Sequence, residues 1–192
     1  KSVMTIHNLK FQGVWDVKTI QRFSELPDYY FTPDKLEAYK DGNMLKGGLV
    51  FADAITTVSN TYADEIKTPF YGEGLDGLMR ARSNSLRGIL NGIDYDEFNP
   101  ETDTMIAQNY NARTFRKEKA KNKKELQAQL GLVQDEKKFM IGIVSRLTDQ
   151  KGFDLIQFAM DEICSDDVQL VILGTGDEKY ENMFRHYDWK YN

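Results

Sequence analysis

Arg146 and Lys151 stand in the stretch IVSRLTDQKGFDLI, residues 143 to 156, where an apolar run meets two cations and the second precedes Gly152 and a helix-like pattern. That arrangement suits an anion. A planar guanidinium grips phosphate oxygens in a fork, an ammonium adds a compact charge, and a helix N-terminus contributes free N–H groups at the positive end of its dipole. The same residues also read as solvated loop cations paired with Asp149 or Asp154, because exposed charges usually contribute little. A second loop, LGTGDE, carries Gly174, Thr175 and Gly176 after another apolar run. Glycines there let a ligand approach the backbone, or simply make a tight turn.

Three further stretches hold residue types that could act. His7 ends the apolar run at the start of the chain, where a loop histidine is more often a structural hydrogen bonder than a catalyst. YGEGLDG, residues 71 to 77, combines Tyr71 with Gly72, Gly74 and Gly77, which is a loop shaped to admit a ligand or a mobile surface turn. Asn91 and Gly92 form a strong turn pair within LRGILNGIDYDEFNP, and the polar stretch after them is the candidate domain junction. Cys164, the one cysteine, excludes an internal disulfide, fits a reducing compartment and reads as an inert packing residue.

Elements must hold these residues in place. SVMTIHNL and FADAITTVS read as buried strands, Ser59 as the N-cap of the helix-like NTYADEI, and Thr68-Pro69 as its stop. Residues 113 to 131 predict a surface helix resting on Leu126 and Leu130, with Gly131 as its C-cap. KKFMIGIVS predicts a buried strand, Leu155, Ile156, Ala159, Met160 and Ile163 an amphipathic helix, and DVQLVILG the next strand. Strand, helix and strand at that spacing form a βαβ unit with a right-handed crossover, and ligands bind such sheets beyond the carboxyl ends of the strands.

Composition bounds the functional classes. With 192 residues, 41% of them apolar and 29% charged, the chain can bury a core, and no apolar run reaches the length of a membrane span. A net charge of −5 offers no basic excess for a phosphate backbone, so no nucleic-acid partner is expected. A dinucleotide oxidoreductase is disfavoured because Arg146 and Lys151 occupy the first βα loop, where a glycine fingerprint belongs. The opening KSVMTIHNL and the closing MFRHYDWKYN suggest an internal segment of a longer protein.

In order and spacing, TIHNLKFQG, ADAITTVSNTYADEI, YGEGLDGL, ILNGIDYDEFNPETD, VSRLTDQKGFDL and VILGTGD resemble the bacterial glycogen synthase and plant starch synthase family. The resemblance implies an α/β fold of GT-B type, two Rossmann-like domains with parallel sheets facing each other across a cleft. Residues 1–96 correspond to the later part of the acceptor-side domain, and residues 97–192 to the first part of the nucleotide-binding domain. It implies a retaining transfer of glucose from ADP-glucose to the non-reducing 4-hydroxyl of an α-1,4-glucan, glycogen or starch. Same-face attack assisted by the leaving phosphate would need neither metal nor cofactor. The resemblance gives Arg146 and Lys151 the donor diphosphate, His7 and Asn91 the donor sugar, and Gly174, Thr175 and Gly176 the nucleoside. The loop with Tyr71, Gly72, Gly74 and Gly77 falls beside the acceptor. The family's lysine-glycine-glycine loop and late glutamate motif lie outside these residues, so the chain alone is expected to be inactive and to self-associate through incomplete sheets. The resemblance implies a cytoplasmic bacterial enzyme, or a plastid one if of plant origin. Sucrose-synthase-type transferases share only SRL…KG, and a non-catalytic glucan-binding or regulatory protein on the same scaffold is the other alternative.

Overall fold

The computed structural model describes residues 1–191 and divides the chain into two units, Lys1–Ile93 and the residues from Asp94 onward. The first unit runs β1 (Val3–Ile6), β2 (Val14–Trp15), α1 (Val17–Ser24), β3 (Glu37–Ala38), β4 (Asp41–Asn43), α2 (Met44–Phe51), β5 (Ala54–Thr57), α3 (Asn60–Glu65), α4 (Asp76–Ala81) and β6 (Leu86–Gly88). The second runs α5 (Phe115–Gln129), β7 (Phe139–Val144), α6 (Phe153–Ser165), β8 (Val168–Leu173) and α7 (Glu178–Tyr191). Among the described residues no helix is long and apolar enough to cross a membrane.

In the first unit β5 lies between β1 and β6, parallel to both. The alternation of β5 buries Ile55 and Thr57 on one face. Thr57 is no defect there, because its hydroxyl donates to Ile6 O at 2.8 Å. Ile6, Leu49, Ile55, Ile66, Met79 and Leu86 fill the core between sheet and helices. Ser59 caps α3 as expected, accepting from Tyr62 N at 2.9 Å. Gly88 ends β6 against this cap, where a Cβ would lie 2.3 Å from Ser59 O.

Two features escape the sequence pattern. A small antiparallel sheet, ordered β2-β4-β3, joins the parallel one in this unit, from strands too short to show a period. Arg82 looks like a surface cation, yet its guanidinium donates to Leu49 O, Val50 O and Ala52 O and closes the end of α2. The turn expected at Asn91-Gly92 is absent. Ile89 N instead donates to Thr57 O at 2.7 Å, continuing the edge of the parallel ladder, and residues 89–93 run on exposed with no positive φ at Gly92. A two-residue turn forms where two antiparallel strands meet, and none follows here.

The second unit holds the expected βαβ arrangement, with β7 and β8 parallel in register from Phe139↔Val168 to Val144↔Leu173 and α6 as the crossover. Its core is Leu147, Phe153, Tyr180 and Met183. The strands are less buried than their apolar residues suggest: Phe139 and Val144 are 67% and 81% exposed, because β7 has only β8 beside it among the described residues. Helix α5 also departs from expectation. Leu126 and Leu130 are exposed, and Gln127 faces inward, donating to Gln169 Oε1 at 2.7 Å and Asp135 O at 3.0 Å. Gly131 does take the left-handed conformation of a helix C-terminus, with φ 71°.

Candidate functional site

The second unit presents its cations beyond the carboxyl ends of β7 and β8. The strand pairing continues past both elements through a parallel bridge between Leu147 and Gly176. Ser145 N donates to Leu173 O, Leu147 N to Thr175 O and Asp177 N to Leu147 O, at 3.1, 2.9 and 2.8 Å. Glycine is required on this seam. A Cβ on Gly174 would lie 1.9 Å from Ser145 O, and one on Gly176 2.3 Å from Leu147 O. Both glycines therefore make room for the neighbouring backbone on the side where a Cβ would stand, and both are exposed. Thr175 is exposed at the seam's end.

Buried Leu147 anchors the chain between Arg146 and the 3-10 turn Asp149–Lys151. Gly152 then takes φ 71° and opens α6 without a side-chain cap. Leu155 N and Ile156 N bond back to Gly152 O, which leaves the N–H groups of Phe153 and Asp154 without an acceptor among the described residues. Arg146 and Lys151 are exposed, and among the described residues neither side chain has a hydrogen-bond or ion-pair partner. The pairing with Asp149 is taken up elsewhere. Asp149 Oδ1 accepts from Lys179 Nζ at 2.6 Å and from the Tyr180 hydroxyl at 2.5 Å. The hydrogen bonds to that carboxylate push both the Lys179 ammonium and the Tyr180 phenol up from their ordinary values.

Glu181 fixes the end of the glycine seam. Its carboxylate accepts from Gly176 N at 3.0 Å and from Arg185 at 2.8 Å, and these bonds hold it below the usual carboxylate range. A depressed folded-state value means a stabilising contribution present above the ordinary glutamate pKa of about 4.3 and lost as pH falls through the folded value. Unfolding followed by urea from pH 7 down to pH 3 should show a smaller loss of stability in Glu181→Gln than in wild type, the depressed carboxyls of Asp16, Asp34 and Asp161 acting equally in both. Parallel curves for the two proteins would remove Glu181 from this role.

In the first unit, His7 and Asn91 lie at the carboxyl ends of β1 and β6, the strands on either side of β5, and both are exposed. The loop after β1 is anchored by its neighbours. Leu9 is fully buried with its N–H on the Tyr62 hydroxyl at 3.0 Å, and Asn8 Oδ1 accepts from Lys10 N at 3.0 Å. Gln12, a residue without a motif of its own, spans two segments. Its Nε2 donates to Glu73 O at 2.9 Å while its Oε1 accepts from buried Asn43 at 2.5 Å. The glycine-rich loop is thereby tied to the His7 loop. Within it, exposed Tyr71 packs edge-on against Phe70, and Gly72 admits no Cβ, which would lie 2.7 Å from Thr68 O. Gly74 needs its φ of 78°, and Gly77 is an unconstrained residue of α4.

Comparison with known proteins identifies the family. A family model described as the starch synthase catalytic domain matches residues 1–81. The chain is 71% identical over 192 residues to a glycogen synthase of Lachnospira eligens and 66% identical over 192 residues to one of Lachnoclostridium phytofermentans. All of the chain is covered, and it spans 40% of the length of each relative. Among solved structures, the catalytic domain of starch synthase IV from Arabidopsis thaliana, bound to ADP and acarbose, matches with a TM-score of 0.88 at 32% identity. That match covers 98% of this chain and 39% of the other, and it bears out the α/β, parallel-sheet fold of GT-B type. Matched from end to end in sequence and over nearly all its length in fold, the chain belongs to the glycogen synthase and starch synthase family.

Proposed function

We propose that this chain is part of a retaining glucosyltransferase that moves glucose from ADP-glucose to the non-reducing 4-hydroxyl end of an α-1,4-glucan. The observation that carries this reading is the pair Arg146 and Lys151, exposed and without partners among the described residues at the uncapped start of α6. Two cations and two open N–H groups form a place for a diphosphate. As the bond from the anomeric carbon to the phosphate breaks, negative charge grows on the leaving diphosphate, and donors already aimed at it stabilise the transition state more than the ground state. The exposed end of the Leu147–Gly176 seam, with Thr175, is assigned to the nucleoside. His7 and Asn91 are assigned to the glucosyl group, and the loop from Tyr71 to Gly77 to the acceptor side. The bacterial relatives and the ADP-bound structural match support ADP-glucose as donor and a cytoplasmic setting.

Because the chain spans 40% of its relatives, the activity is proposed for the longer polypeptide. Incubating that polypeptide with glycogen and ADP-[14C]glucose should incorporate label into glycogen, and the 192-residue chain alone should not. Absence of incorporation by the longer polypeptide, with both ADP-glucose and UDP-glucose, would overturn the proposal.

A further inference from the structure

The hairpin between β3 and β4 turns on two residues, Tyr39 and Lys40, with φ of 55° and 76°. Both central residues thus lie in the left-handed region, where Asn-Gly or Asp-Gly is the unstrained choice. An aromatic residue persists there only where its surroundings over-determine the backbone. Here they do. Gly42 leaves no room for a Cβ against Ile20 and Phe31, Glu37 Oε1 accepts from Lys40 N at 2.6 Å, and Lys46 Nζ ties Pro33 O at 2.6 Å together with Glu37 O. Burial does not offset the strain, since Tyr39 is 86% exposed.

Tyr39 lines an open cleft of about 420 Å³ with Asp34, Glu37, Lys46, Gly74 and Leu78, a volume within the small-molecule range of roughly 300–1,000 Å³. Across it stands Gly74, where a Cβ would make ordinary contact with the Tyr39 hydroxyl at 3.5 Å. The lining offers an aromatic face and two carboxylates as acceptors. Its cation, Lys46, is committed to two backbone carbonyls. A phosphate would meet carboxylates without a free donor charge. A pyranose fits better, because its C–H face can lie on the ring while its hydroxyls donate to the carboxylates.

We propose that this cleft is a glucan-holding subsite in which Tyr39 stacks beneath one glucose ring of the α-1,4-glucan. The choice of a glucan as occupant rests on the glucosyltransferase reading. The cleft shares the glycine-rich loop that Gln12 ties to the segment bearing His7, so a chain held here runs along loops of the same unit.

Calorimetry on the full-length polypeptide, with maltoheptaose and with ADP as separate probes, tests the subsite. Tyr39→Ala should weaken maltoheptaose binding about three- to tenfold, as expected for one aromatic stack, and leave ADP affinity unchanged. Tyr39→Phe should keep the affinity. Tyr39→Asn should lose the same affinity while raising Tm, because asparagine tolerates the left-handed turn. Tyrosine held there only for folding would give the opposite pattern, a lower Tm with affinity intact, and that result would overturn the subsite. So would a change in maltoheptaose affinity below twofold in Tyr39→Ala, a matching loss of ADP affinity, or no binding by the wild type. If the polypeptide transfers no glucose, the glucosyltransferase reading fails alone, since maltoheptaose binding to wild type and Tyr39→Ala still reports on the cleft.

Discussion

Lys151→Ala in the full-length polypeptide should lower kcat by roughly two to three orders of magnitude, and Arg146→Ala by a similar factor, as for other preorganised donors to a developing anion. The reason lies in the timing of charge. A diphosphate esterified to glucose carries less negative charge at the breaking oxygen than the departing diphosphate does, so these contacts strengthen along the reaction. Their loss appears in kcat as well as in the donor KM. Lys151→Arg should rescue poorly, because a planar fork does not replace a compact ammonium on a short 3-10 turn. Steady-state kinetics with ADP-glucose varied at saturating glycogen separates this from the alternative of solvated loop cations. In that case alanine at either position leaves kcat and the donor KM within a factor of two of wild type. Circular dichroism of each variant should match wild type, because both side chains are exposed and neither makes a hydrogen bond or ion pair among the described residues.

Gly174→Ala should be the most damaging single methyl group in the second unit. The added Cβ would fall 1.9 Å from Ser145 O and 3.1 Å from Ser145 C, both backbone atoms of a paired segment that has no side chain to swing aside. Relief requires the two segments to part, which strains or breaks the bonds from Ser145 N to Leu173 O and from Leu147 N to Thr175 O. Overpacking costs about 1–3 kcal/mol and each weakened bond about 1 kcal/mol. A loss of about 3–4 kcal/mol is therefore expected, a large share of a typical stability of about 5–15 kcal/mol. Gly142→Ala is the matched control. Gly142 lies in β7 of the same unit with nothing within 4 Å of its Cβ position, so alanine there should be neutral or stabilise by about 0.5 kcal/mol. Urea unfolding of both variants decides the point. Equal midpoints would mean that the seam is looser than its geometry.

Much of the architecture and of the candidate site was legible before any coordinates, for a local reason. The period of β5, the Ser59 cap, the C-terminal Gly131 and the β7–α6–β8 spacing are each announced by residue patterns within a short stretch of the chain. The strand-to-helix loop that carries Arg146 and Lys151 was legible too, from the apolar run before it and the amphipathic pattern after it. Residue type alone could not say whether Asp149 or Asp154 neutralises them.

Tertiary structure decided what depends on partners distant in sequence. It gave Asp149 to Lys179 and Tyr180, thirty and thirty-one positions away, and so left Arg146 and Lys151 open. It placed Gly174 and Gly176 on the seam between two strand ends, because what a missing Cβ makes room for depends on the chain that passes beside it. It drew Gln12 between Asn43 and Glu73, and it placed Tyr39 in a left-handed turn that no asparagine or glycine announced. It also left Leu126 and Phe139 exposed and buried Gln127, since apolar character records a tendency to leave water and only the neighbouring surface determines which face is covered. Local chemistry was thus written along the chain, while the pairing of charges and the use of each gap followed from contacts between segments far apart in it.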